Sequence, residues 1–552
     1  MKRNRLWKQA MAMLGTAVFT VSSAAGCGPK PQRQAESSSA AGQTKTEAEA
    51  ASLAVNHANR EGLPIADEEI TLVVGVKAPA AAYQGPWQDL DWVKELQKAA
   101  GVKLEFRVYN GNEDVNLMFT GRDYPDISFN IGTEKQIQDA ALGGDVIPLN
   151  DLIDQWSPNW KRYFEEDEVA HKTCMLEDGR IYSLPMIRNE ANVSGLRDQW
   201  LINKSWLDEL GLPIPSTTVE FYETLKAFKD HGGQGSIPQN VIPYYVYGIT
   251  ANIGGALDMF NAFGIRVSGE KYMVTVDDTG SVEFNYTDEA MKEPLLYLRR
   301  LFEEELIPYE CLTDDNDTYL VKTKTMPGIV GSFHSRQNPD TANEIVVAMA
   351  PIDAQNGKKP MIRSQGNRIT KNFFTIYTKC QYPEVAMRLA DLIAEPDWSV
   401  QAMYGMIGDT YTKKNEDGSY ELYPYSADAQ GAASAPMNRV PLLITREVAD
   451  RLSYMDGSSQ AQLATAVAEV YQDYAIPSVN LYPGVIFSVE QTDRLAELKK
   501  DLTDYMTNTF STWMLEGGIE DGWETYVKQM NDLGLEEYLS ILQQALDDFN
   551  AR

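Results

Sequence analysis

Cysteine and histidine are both scarce, four of each in 552 residues. No Cys-x-x-Cys pair and no Cys/His cluster occurs, which excludes the common zinc frameworks and a disulfide-stapled fold. The histidines stand at 57, 171, 231 and 334, so a Ser–His or Cys–His engine has few bases to draw on. HExxH, GxSxG and Walker motifs are missing as well. Positive charge is the other shortage. With 49 Lys+Arg against 79 Asp+Glu the net charge is −30, and this argues against nucleic acid as a partner, because affinity there rests on neutralising phosphates. No apolar run reaches the roughly 20 residues a bilayer crossing needs, and there is no internal repeat.

What is present starts with a processed N-terminus. Lys2, Arg3, Arg5 and Lys8 form a positive region, followed by an apolar run over 11–21 and small residues up to Cys27. This is the pattern of a secretory signal, over residues 1–26. Ala24-Ala25-Gly26-Cys27 resembles the bacterial lipobox, with Ala24 where Leu is common. The resemblance implies lipidation at Cys27, and a diacylated cysteine supplies the two chains that stable anchoring needs. Residues 27–65 are poor in large apolar side chains and read as a disordered tether. The mature protein is therefore expected on the extracellular face of the cytoplasmic membrane. The three other cysteines, Cys174, Cys311 and Cys380, read as small buried apolar residues.

The body reads as α/β. Residues 70–76 are continuously apolar, as in a strand buried on both faces. A helix over 89–100 stops at Gly101, and 102–109 alternate apolar with polar, which is strand periodicity. A helix over 113–120 and a strand over 126–129 follow. Such a succession predicts right-handed crossovers and a largely parallel sheet, whose ligands bind beyond the carboxyl ends of the strands. The loops over 80–87 and 130–132 are thereby expected to face a cleft. The last sixty residues carry apolar side chains at helical spacing.

Six segments in order, among them GRDYPDISFN (121–130), DGRIYSLP (178–185), WLDELGLPIPST (206–217) and PEVAMRLADLIAEPDW (383–398), resemble the extracellular solute-binding protein family 1 of Gram-positive ABC importers, in its large lipoprotein branch for oligosaccharides. The resemblance covers nearly all of 70–550. It implies a periplasmic-binding-protein-like type II fold, two α/β lobes around a central cleft with hinge crossings and a helical C-terminal segment. Lobe 1 is expected over 66–190 and 370–400, and lobe 2 over 200–365. Residues 401–552 are expected to be mainly helical and to pack on lobe 2 and the cleft. The implied partners are an oligosaccharide and the ABC permease subunits, with the protein a monomer. No cofactor and no metal are expected. Relatives carry a calcium loop after the counterpart of AFKD, but here 229–243 (KDHGGQGSIPQNVIP) holds Asp230 as its only acid, and calcium wants six to eight oxygens with several carboxylates among them.

A sugar site needs aromatic platforms and planar polar groups. The candidates are Tyr83 and Trp87 after the first strand, Asn130 after the 126–129 strand, Trp200 near the first crossing, Tyr245, Phe333 and His334 in the middle of the chain, Arg368 near the second crossing, and Trp398, Tyr411 and Tyr482 beyond. For any one ring, core packing competes equally with ligand contact. Trp87, Trp200 and Trp398 are favoured for sitting at element ends. No pair of carboxylates is singled out by spacing as a glycosidase would require, so a non-enzymatic binding protein is expected. A binding protein for a peptide or uronate and a secreted carbohydrate-active enzyme are the alternatives.

Overall fold

The computed structural model describes residues 57–77, 85–189, 196, 198–252, 254–324, 328–335, 345–364, 368–408, 410–423, 436, 439–455 and 459–552. Two sheets dominate it. The first has six strands in the order Leu443–Ile444, Leu184–Arg188, Arg368–Ile376, Ile127–Phe129, Ile70–Lys77, Val102–Tyr109. Ile70–Lys77 pairs in parallel with both Val102–Tyr109 and Ile127–Phe129, as the strand–helix order predicts. Arg368–Ile376 is antiparallel between Ile127–Phe129 and Leu184–Arg188. The connecting helix Asp91–Ala100 buries Trp92, Val93, Leu96 and Ala100, and Gly101 closes it at φ 70°, a left-handed cap that costs glycine nothing.

The second sheet runs Val346–Ala348, Gln199–Asn203, Val330–Ser335, Ile242–Tyr245. Its helix Thr218–Asp230 starts with a capping box, Thr217 bonding the Glu220 amide while the Glu220 side chain reaches back. Three C-terminal helices, Val489–Glu516, Ile519–Asp532 and Leu535–Ala551, share one hydrophobic core with this sheet. Phe510, Trp513, Trp523 and Tyr526 form its aromatic seam. The first sheet has a separate core that includes Leu72, Trp92, Ile127, Phe374 and Leu389.

Two boundaries differ from expectation. Residues 57–66 are part of the body: Ile65 is buried, Ala58 bridges Ala66, and Arg388 donates to the Asn59 and Gly62 carbonyls. Composition missed this because backbone carbonyls, not apolar side chains, anchor most of the segment. The described residues between 400 and 455 pack with the first sheet instead of with the C-terminal helices. Leu443–Ile444 extends that sheet, and Val400, Tyr420, Leu422 and Val448 lie in its core. The strands here are two or three residues long, too short for a period to register.

Candidate functional site

The chain passes between the sheets three times. The first passage leaves Arg188 and enters Gln199, the second joins Ala348 to Arg368, and the third leads from the first sheet's core to the helix at Val489. The passages are stitched to each other. Leu196 bridges Ser364, and Ile362 bridges Ala475. Leu196, Ile362, Ala466 and Tyr471 bury a small core of their own, distinct from those of the two sheets. The Tyr471 hydroxyl accepts from the Trp200 amide at 2.9 Å and donates to the Trp200 carbonyl at 3.0 Å.

A buried ionic network fixes the first two passages to the second sheet. Arg363 donates through Nε and Nη2 to Asp258 at 3.0 and 2.8 Å, through Nη1 to the Asn252 carbonyl at 2.7 Å, and through Nη2 to Asp198 at 3.4 Å. Asp198 also accepts from the Gly254 amide at 3.1 Å. Burial works to raise the Asp258 carboxyl, but the guanidinium outweighs it and holds the group below the ordinary carboxylate range. His334 lies 3.7 Å from Asp258 and meets the Tyr244 hydroxyl at 2.8 Å. Burial lowers its pKa to about 4 against the pull of Asp258, so the ring is neutral at ordinary pH.

One end of each sheet meets these passages, with carboxyl ends of the parallel strands and amino ends of the antiparallel ones side by side. Gln199 pairs with Ser335, and Tyr245 with Phe333, at the passage end of the second sheet. Arg188 pairs with Arg368 at that of the first. Asn130 follows Phe129 there at φ 53°, a left-handed conformation asparagine tolerates, and is half-buried. Gly132 at φ 93° lies against Phe119, where an added Cβ would stand 2.8 Å from the ring.

The proposed aromatic platforms mostly prove to be scaffold. Trp87 is buried, stacks on Phe106 and donates to the Lys77 carbonyl. Trp200 is 0 % exposed, its indole donating to Ser332 at 3.1 Å. Tyr245 and Phe333 are buried, Tyr245 bonding Asp314 and stacking on Tyr319. The His334 side chain belongs to the ionic network. Trp398 packs edge-on against Trp92 and accepts its indole N–H at a backbone carbonyl. Tyr482 bonds the Leu542 carbonyl while lining a cavity of about 980 Å³ with Ile369, Asn480 and Phe549. Tyr411 is half-buried. Arg368 is placed by its backbone at the strand start, and Tyr83 lies outside the described residues. Of the eleven, Asn130 and the backbone of Arg368 lie towards the passage end of the first sheet, Asn130 opposite Phe373 and Arg368 opposite Arg188. Asp198, Asp258, Arg363 and Tyr471 were not foreseen; the signal was Asp258 inside the otherwise apolar run ALDMF.

No protein-family model matches the chain. Over 476 residues it is 27% identical to the fructooligosaccharide ABC transporter substrate-binding protein FusA of Streptococcus pneumoniae, covering 83% of this chain and 87% of FusA. The chain is a homologue of FusA with the fold of ABC-importer solute-binding proteins. The solved structure of FusA with kestose superposes with a TM-score of 0.76 at 24% identity, over 87% of this chain and 99% of FusA. An HMO-binding ABC-transporter-associated solute-binding protein of Bifidobacterium longum infantis gives 0.76 at 22% identity, over 87% and 99% of the two chains. Lipoprotein LipO of Bacillus subtilis is 23% identical over 394 residues, 66% of this chain and 74% of LipO. FusA and the Bifidobacterium protein are binding proteins. The two sheets with their passages are thus the two lobes and hinge of this FusA homologue. Among its described residues no group of three or more His, Cys, Asp or Glu side chains is placed to hold a metal ion, and no helix is long and apolar enough to cross a membrane.

Proposed function

We propose that this protein is the lipid-anchored, extracellular substrate-binding component of an ABC importer, which captures a neutral oligosaccharide between its lobes and hands it unaltered to the permease. The observation that carries the reading is the pairing of two sheets, strand ends facing, across three mutually stitched passages, in a chain homologous to FusA over most of its length. A ligand touching both strand-end surfaces favours the closed arrangement by its differential affinity. The Ala24–Cys27 signature and the likeness to a lipoprotein support the anchor.

Calorimetry and thermal unfolding with kestose and a panel of other neutral tri- to pentasaccharides test the capture. A ligand at 100 Kd is expected to add about 2.7 kcal/mol of stability. Absence of a shift with every glycan, or release of shortened sugars on prolonged incubation, overturns the proposal. Palmitate labelling of cells is expected to mark the parent and not Cys27→Ala, which is released to the medium.

A further inference from the structure

The hinge is not the sole tie between the lobes. The loop leaving the Ile127–Phe129 strand ends at Thr133, which caps the helix Glu134–Leu142 with a capping box. The backbone of Glu134 is therefore fixed to the first lobe. Its carboxylate meets Lys371 of the first sheet at 3.3 Å on one side and Lys271 of the second lobe on the other. Lys271 is seated in turn: its ammonium lies 5.0 Å from the Tyr272 ring centre, and Tyr272 packs on Tyr482 and Phe487. Tyr538 also donates to the Tyr272 carbonyl. Along the same helix, Lys135 reaches Asp493 of the first C-terminal helix at 3.3 Å, and Gln138 donates to the Phe487 carbonyl at 3.1 Å.

The charge arithmetic is unusual for a chain of −30. One carboxylate stands between two ammonium groups carried by different lobes. Lys499 stands near enough for Lys271 to help hold its pKa below the usual range, burial being the larger cause. Remove the carboxylate and Lys271 and Lys371 face each other unscreened, so attraction between the lobes turns to repulsion. All three groups of the bridge keep some solvent access, with side-chain exposures of 42 % for Glu134, 59 % for Lys271 and 20 % for Lys371. The link is therefore of modest strength and open to screening by salt.

We infer that Glu134 is a positioning residue, a cross-lobe latch that biases the ligand-free protein towards the approach of the lobes seen here and so sets how much of the binding energy is spent on closing. The consequence for affinity rests on the capture reading above; the latch itself does not, and it can be tested without any sugar.

Spin labels at Leu117→Cys and Val219→Cys report on the two lobes from positions 64 % and 60 % exposed. With Cys27→Ser in the background, the native Cys174, Cys311 and Cys380 are buried and do not compete. In the ligand-free chain, Glu134→Gln is expected to raise the ratio of long to short inter-lobe distances about three- to fivefold, as the loss of about 1 kcal/mol of exposed pairing requires. Lys271→Gln is expected to do less, since it removes the cross-lobe attraction without leaving two ammonium groups facing each other. Molar salt moves the parent in the same direction and, by screening the Lys271–Lys371 repulsion, does not move Glu134→Gln further that way. If kestose binds, its Kd rises in step with the distance ratio. Distance distributions of parent and Glu134→Gln that superimpose overturn the latch, whatever the sugar does. Should Glu134→Gln fail to fold, Lys271→Gln and the salt response of the parent decide, and no movement in either overturns it.

Discussion

Replacing Arg363 by Met strikes the point where two chain passages are tied to the second lobe. Arg363 is 3 % exposed, and the side chains of Asp198 and Asp258 are 0 % and 1 % exposed. Methionine fills much of the space of the arginine stem and supplies no cation between the two acids. Breaking a buried pair by removing one partner costs about 3–5 kcal/mol, and two acids sharing one guanidinium place this variant at the upper end. The pH dependence makes the test specific. In the parent, Asp258 is held below its usual pKa, so its contribution is present above the unfolded value near 4 and is lost as the pH falls through the lower folded value. In the variant, burial and the second carboxylate both raise it. His334, 3.7 Å away, then becomes the nearest group able to take up a proton. The native state now holds more protons than the unfolded chain, and stability falls as the pH rises. Urea unfolding followed by tryptophan fluorescence at about pH 5 and pH 8, either side of the ordinary histidine range, is expected to show the variant recovering part of its loss at the lower value. A loss below about 1 kcal/mol, or the same loss at both pH values, refutes the reasoning, because an intact network of this geometry cannot be so cheap to break.

Trp200→Ala is expected to unfold the second lobe more easily by about 3–5 kcal/mol; normal stability with selective loss of sugar binding would restore Trp200 as a cleft residue, which its burial contradicts. The His334 ring is expected to show no NMR titration between about pH 5 and pH 8, its pKa being near 4. Because that value lies below the unfolded one, its contribution to stability is complete above the ordinary histidine value of about 6.5 and declines as the pH falls towards 4. EDTA or added calcium is expected to leave the thermal midpoint unchanged, since the loop after Asp230 is closed by its own contacts, among them Gly233 to Ile237 at 2.9 Å and Ser236 to Glu209 at 2.6 Å. A midpoint that rises with calcium refutes this.

The elements that carry strong periodicity were legible before any coordinates. The alternation over 102–109 and the helix ended by Gly101 are where the residues put them. So is the parallel pairing that follows from strand–helix succession. The site was far less legible, for a physical reason. An indole at a strand end looks alike in sequence whether it packs inward, as Trp87 and Trp200 do, or faces a ligand. Only the tertiary neighbours, Phe106 for one and Ser332 for the other, decide it. The ionic network was hidden because its members lie up to 165 positions apart, from Asp198 to Arg363.

The small cluster of Leu196, Ile362, Ala466 and Tyr471 has a bearing on how such a molecule tolerates change. Each half keeps its interior to itself, and the joint has a separate one. Swinging the halves apart therefore uncovers neither interior. A lineage can thus alter the packing of one half while the joint and the opposite half keep theirs.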